Sequence, residues 1–346
     1  MYKNYLWISH SAINTFDKCP QSYYYQYQYK NPKTGNRLQI VNPYFSLGLS
    51  VHLTIEELAE MSAKERVQLP LKERFEDIWN DYSGKKGGFV SEKQEAEFKN
   101  RGELMIERVM ESDFLSKPAI TMDEQIPNID LIPEKNIKLV GSLDWIQVID
   151  DDSYHIIDFK TGKNKESKNS LQLPIYNILA NKKLDGKVKK FSYWYLENGK
   201  KLTPMKLDSL EESLKIIKEK ALEISSYVDE GRYPCNYNGR CFSCGDYRKI
   251  FDGEAEFLGT GMGGKDLFFI FKSKNIIRKL IDEEVFDQKE EKVFEMRMEG
   301  NSIGEISRDL NLSEKEIDSI VSSIKDKMAE KLSAKELNVL IREKLS

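Results

Sequence analysis

The stretch from Val140 to Tyr176 constrains this chain more than any other. It opens with two runs rich in Val, Ile, Trp and Tyr on either side of Asp150-Asp151-Asp152-Ser153, which reads as a β-hairpin around a turn. Residue numbers facing each other across a hairpin keep a constant sum, so a hairpin centred on Asp151 sets Asp144 opposite Asp158. Side chains alternate along a strand, which puts Lys160 on the face of Asp158 and turns Phe159 and His155 away from it. Two carboxylates and a lysine therefore converge on one patch. Adjacent carboxylates repel unless a cation neutralises them, and hard oxygen ligands suit Mg²⁺ or Mn²⁺. A lysine beside them can orient a water and offset charge developing on a phosphate. Taken alone, the same three residues also suit the solvated face of a sheet, with Lys160 as a cross-strand ion-pair partner.

The rest of the chain supplies the elements around this hairpin. A helix capped by Ser9 or Ser11 carries Ile13, Phe16, Tyr23, Tyr24 and Tyr27, and its aromatic face reads as core. A second helix spans about 45–61 and holds His52, and a charged helical insertion covers about 64–116, broken at Ser83–Gly88. Ile120 to Ile132 reads as a strand. A helix at 170–181 brings Gln172 and Tyr176 to one face, four residues apart. Strands at 190–196 and 202–207 flank Asn198-Gly199, and a helix at 210–227 follows. The expected fold is α/β, a small mixed sheet with flanking helices.

Composition excludes little. The 346 residues are 40% hydrophobic and carry a net charge of −4, so nucleic-acid binding requires local basic surface rather than global attraction. No long apolar run and no basic-then-apolar leader occur, so a soluble, cytoplasmic protein with no membrane partner is expected. Four cysteines, Cys19, Cys235, Cys241 and Cys244, make disulfides a poor explanation in that compartment and fit either Zn²⁺ or an iron–sulfur cluster.

Five blocks occur in one order: Ser9-His10-Ser11 through Cys19-Pro20-Gln21-Ser22-Tyr23-Tyr24-Tyr25; Gly48 to His52; Gly141-Ser142-Leu143-Asp144 with Asp158-Phe159-Lys160-Thr161-Gly162; Gln172-Leu173 with Tyr176; and the cysteines from Cys235 to Cys244. In that order they resemble the PD-(D/E)XK nuclease superfamily, and within it the RecB-type and CRISPR-associated exonuclease branch. The resemblance implies a restriction-endonuclease-like core over residues 1–250. It implies a metal-dependent DNA exonuclease acting on ends or single strands in recombination, repair or replication, with a helicase or similar protein as partner. It further implies His52, Asp144, Asp158 and the Phe159 carbonyl as ligands of Mg²⁺ or Mn²⁺, and Lys160 as the residue that positions the attacking water. Gln172 and Tyr176 would approach the substrate phosphate, and Glu124 would be a further acidic candidate. The four cysteines would hold a [4Fe–4S] cluster that staples the two ends of the domain, with zinc as the alternative.

Beyond residue 250, Gly259 to Lys265 matches the start of a phosphate-binding loop, but Asp266 stands where Ser or Thr would hold Mg²⁺, and the next residues read as strand. No nucleoside triphosphate site is expected, and 251–275 reads as a Gly-rich linker. Helices at 290–299, 303–310 and 314–328, the last with a Ser313/Glu316 capping box, resemble a sigma-factor-like helix-turn-helix module over 276–346. The third helix starts with Glu314, Glu316 and Asp318, which suits base reading poorly. The competing function class is thus a DNA-binding regulator or adaptor that uses this module and an inactive nuclease platform.

Overall fold

The structure, a computed structural model, describes residues 5–341 except 123, 125, 208, 240 and 262. Leu6–Ile8 (β1) leads into His10–Lys18 (α1), where Ser9 caps the helix by accepting the Ala12 amide at 3.1 Å. Pro20–Tyr23 (α2) continues through one π turn to Arg37–Ile40 (β2). Pro43–Glu56 (α3) begins at Asn42, whose side chain accepts the Phe45 amide. The charged segment then folds as Ala63–Gln68 (α4), Leu71–Asn80 (α5) and Glu92–Met110 (α6).

Ala119–Ile120 (β3), Asn128–Ile132 (β4), Ile137–Val140 (β5), Trp145–Asp150 (β6) and Ser153–Lys160 (β7) follow. The single strand expected over 120–132 is therefore two. β3 pairs with β6, whereas β4 joins β5 in a different sheet, and Pro127, which has no amide to donate, stands just before β4. Gln172–Lys183 (α7) crosses to Lys187–Tyr195 (β8), parallel to β7, and Thr203–Met205 (β9) closes this sheet in the order β3-β6-β7-β8-β9. Leu210–Glu230 (α8) and Gly245–Phe251 (α9) complete the segment.

The sheet has a core on each face, set by alternation. Ile156 on β7 and Phe191, Tyr193 and Tyr195 on β8 pack with Ile13, Phe16, Leu179 and Ile224 from α1, α7 and α8. Their neighbours Ile157, Phe159 and Trp194 pack on the other side with Leu47, Val51, Phe75 and Trp79 from α3 and α5. Asp158 and Lys160 share the parity of Ile156, so they fall on the side of α1 and α7.

The stretch expected as a linker is instead a hairpin. Ala255–Gly261 (β10) and Lys265–Ile270 (β11) pair antiparallel, and β11 runs parallel to β2. The reason is Asp266, which is 0% exposed. Its carboxylate accepts hydrogen bonds from Asn31 Nδ2 at 2.7 Å, Thr34 Oγ1 at 2.6 Å and Asn36 Nδ2 at 3.0 Å. Burial pushes this carboxyl up, but these donors and Thr260 more than offset it and hold it below its ordinary value. The residue that breaks the phosphate-loop pattern thus pins the hairpin to the loop over 31–36.

Ser273–Asp282 (α10), Gln288–Met298 (α11), Ile303–Leu310 (α12), Glu314–Lys331 (α13) and Ala334–Leu340 (α14) form the C-terminal helices. Asn311 adopts φ 52° to end α12, and the Ser313/Glu316 capping box starts α13. Ile306, Ile317 and Ile324 share one core with Phe269 and Phe271 of the hairpin. Arg278 pairs with Glu97 on α6 at 2.6 Å, so these helices dock on the helical insertion. The sequence pattern also suggests one amphipathic helix over 329–346; instead α13 runs to Lys331 and α14 starts anew at Ala334 behind a Ser333/Glu336 capping box, and the last residues of that range lie outside the described residues.

Candidate active site and cysteine cluster

The hairpin keeps the expected register. Trp145 faces Ile157, Ile146 faces Ile156 and Gln147 faces His155, and only at the turn does a bulge shift the pairing. Asp144, one residue before β6, therefore reaches the end of β7, where its Oδ2 accepts the Phe159 amide at 2.8 Å. Asp158 lies beside it and is 1% exposed. Lys160 Nζ stands 2.8 Å from Asp158 Oδ2, while Asp158 Oδ1 is buried with no hydrogen-bond partner among the described residues. Burial raises both carboxyls above their ordinary range; Asp158 raises Asp144 further, whereas the Lys160 ammonium opposes the rise at Asp158.

α3 approaches this pair from the other side of the sheet end. Its His52 Nδ1 lies 3.4 Å from Asp144 Oδ2 and 3.2 Å from Glu56 Oε1. Burial would push the imidazole down, but Asp144, Glu56 and Asp158 together hold it up at about 9. Glu56 is absent from the sequence reading. Its signal was available, because a residue four after His52 on a helix shares its face. His52, Glu56 and Asp144 offer ligand atoms within 4.8 Å of one another. Gly48, one turn before His52, meets the Thr161 hydroxyl at 3.3 Å from where a Cβ would sit, so α3 lies close against the strand that carries Lys160.

Gln172 and Tyr176 meet the lysine. Lys160 donates to Gln172 Oε1, and Gln172 Nε2 donates to the Tyr176 hydroxyl at 3.1 Å. The amide of Gln172 thus uses its acceptor on the ammonium and its donor on the phenol. Glu166 Oε2 lies 3.8 Å from Lys160 Nζ. Glu124 is elsewhere: it is bonded to Lys183 at 2.5 Å and Asn128 at 3.1 Å, on the rim of a trench that also contains Asp144.

His155 turns away from the carboxylates, and its Nε2 pairs with Ser192 Oγ at 2.9 Å. Burial, with Lys190 and Lys117 nearby, lowers it to about 4. Below its unfolded value of 6.5, the unfolded chain takes up a proton that the folded imidazole refuses. Stability should then fall by about 3 kcal/mol as pH drops from about 6.5 to about 4. Urea unfolding of wild type beside His155→Gln checks this, since the variant should lose less stability over the same window.

The four cysteines converge although more than two hundred residues separate Cys19 from the others. All are free thiols, and their sulfurs lie within 4.8 Å of one another. Cys244 Sγ is 3.3 Å from Cys241 Sγ and 3.5 Å from Cys235 Sγ. Cys19 and Cys244 are buried against Tyr25 and Tyr247. Burial opposes ionisation of Cys235, but main-chain amides of Tyr237, Gly239 and Cys241 bring it down to about 6. Four convergent thiols, one already favouring its anion, fit a metal.

A buried carboxylate pair with a lysine beside it, at the end of a strand pair inside a mixed sheet flanked by helices, is an arrangement suited to a divalent metal and to phosphodiester hydrolysis. The model of the PD-(D/E)XK nuclease superfamily matches residues 7–250, and the chain belongs to that superfamily. It is accordingly a nuclease that uses divalent metal and acts on DNA. No curated protein matches the chain. No helix among the described residues is long and apolar enough to cross a membrane.

Proposed function

We propose that this nuclease is an exonuclease of the RecB-type branch, acting on DNA ends or single strands in recombination, repair or replication. The observation that supports the catalytic assignment is Oδ1 of Asp158, buried beside Asp144 without a hydrogen-bond partner among the described residues, with Lys160 2.8 Å from Oδ2 of the same carboxylate. Such an oxygen is costly to bury unless a cation meets it. Asp144, Asp158, His52 and the Phe159 carbonyl would hold Mg²⁺ or Mn²⁺. When bound, that ion polarises the phosphate and lowers the pKa of water. Lys160 positions the attacking water, Gln172 and Tyr176 fix the lysine's direction, and Phe159 N–H holds Asp144 in place. Exonuclease action rests on the motif order shared with the RecB-type branch.

The cysteine group acts as a structural staple between the two ends of residues 1–250. The resemblance implies [4Fe–4S]. The short sulfur separations favour a single tetrahedral ion, since Zn–S bonds of about 2.3 Å set sulfurs about 3.8 Å apart. In the same reading, α11 to α13 would act as a helix-turn-helix-like module. The exposed start of α13 carries Glu314, Glu316 and Asp318, which favours a protein partner over base reading.

The test is degradation of single- and double-stranded DNA labelled at either end, with Mg²⁺ or Mn²⁺ and with EDTA. Metal-dependent release of the label as mononucleotides or short fragments from one end is expected. Binding without cutting would favour the adaptor reading.

A further inference from the structure

A cavity of about 450 Å³ opens beside Lys160, on the face of the sheet that carries Asp158. Glu166 and Tyr193 form the wall between the two. Lys160 Nζ lies 3.8 Å from Glu166 Oε2 and 5.0 Å from the centre of the Tyr193 ring, and both residues line the cavity. The catalytic lysine and the cavity are thus one side chain apart.

The lining is mixed in a particular way. Ile13, Leu173 and Met205 give apolar walls, while Asn14, Asn169 and Ser170 present amide and hydroxyl groups. His10 Nε2 pairs with Ser170 Oγ at 3.3 Å, which leaves donor and acceptor capacity in the same wall. Lys168 and Lys206 in the lining are exposed, and the carboxylate of Asp17 there is paired with Lys220 at 2.7 Å. Apolar faces with a few groups that both donate and accept suit a flat heterocycle, and the volume lies in the range of small-molecule sites. Exposed lysines beside it suit the phosphates of the strand that carries such a base.

We propose that this cavity receives the base of one unpaired nucleotide, adjacent to the phosphodiester held at Asp144 and Asp158. The inference rests on the nuclease reading and deepens it. A base held in a duplex stack cannot turn into such a pocket without unpairing, so the substrate is single-stranded at the point of cleavage. The pocket fixes which phosphate lies at the carboxylates by holding the base beside it.

The experiment uses short oligodeoxynucleotides with 2-aminopurine at one position at a time, bound with Ca²⁺ in place of Mg²⁺. Wild type is compared with Asn14→Trp, which fills the cavity from an exposed helix position, and with Asn169→Ala. In wild type the fluorescence should change most at one position. Asn14→Trp should abolish that preference and weaken binding about tenfold, and Asn169→Ala should weaken it about threefold. Hydrolysis of bis(p-nitrophenyl) phosphate, which has no base to place, should be equal in all three proteins. An equal response at every position in wild type overturns the pocket, as does unchanged binding by both variants. Should wild type hydrolyse neither DNA nor the small diester with Mg²⁺ or Mn²⁺, the nuclease reading fails, and the 2-aminopurine response still scores the pocket.

Discussion

Lys160→Ala should lower the rate of DNA cleavage about 10²–10³-fold at saturating metal, the loss typical of removing one preorganised charge-stabilising donor. The ammonium is held on three sides, by Asp158 Oδ2 at 2.8 Å, by Gln172 Oε1 and by Glu166 at 3.8 Å, so it needs no reorganisation to act. Removing it also deprives Asp158 of the cation that opposes its raised pKa. In the variant, Asp158 should take up a proton at higher pH than in wild type, so metal binding should fail at a higher pH as acid is added. The ligand side chains themselves are kept, so Mn²⁺ should still bind once the pH is high enough to ionise them. Single-turnover cleavage with Mn²⁺ binding by paramagnetic resonance separates the two effects. Cleavage within a few-fold of wild type would remove Lys160 from the mechanism. Gln172→Ala should act in the same direction and more weakly, because Glu166 and Asp158 still hold the ammonium.

Cys244→Ser should release the metal and destabilise the protein by about 3 kcal/mol, lowering Tm by about 6 °C. Cys244 is 0% exposed and its sulfur contacts those of both Cys235 and Cys241, so serine leaves a buried hydroxyl where a thiolate should sit. The loss is large because the site ties α2, next to Cys19, to the loop before α9, closing a long loop. Thermal unfolding by circular dichroism measures the shift. Zinc, iron and sulfide content with the visible spectrum identifies the occupant: one zinc without colour supports the single ion, and iron with sulfide and a brown chromophore supports the cluster. A wild-type protein with neither metal and an unchanged melt in the variant would make the four thiols ordinary core residues.

Much of the face that carries Asp144, Asp158 and Lys160 was legible in the chain because its signal is local. The alternation of Ile156, Asp158 and Lys160 against Ile157 and Phe159, with a turn at 150–153, places Asp144 by arithmetic alone, and the register of β6 and β7 obeys it. Helix ends were equally local: Ser9 and Ser313 cap where their side chains meet amides three residues on. Glu56 shares the His52 face by the same helical spacing, but only the packing of α3 against the sheet end brings that face to Asp144. The linker reading failed for a different reason. Glycines at 259–264 suggest flexibility, but Asp266 finds its donors in Asn31, Thr34 and Asn36, more than two hundred residues earlier.

The sequence by itself determined the faces of β6 and β7, the caps at Ser9 and Ser313 and the convergence of Asp144, Asp158 and Lys160, since these depend on a period of two residues and on local side-chain to amide contacts. The tertiary structure alone decided that Glu56 joins His52 at Asp144, that Gln172 grips the lysine, that β11 lies on β2, and that a cavity opens beside Lys160. Those contacts join segments whose encounter depends on how whole layers pack, and no local spacing encodes that distance.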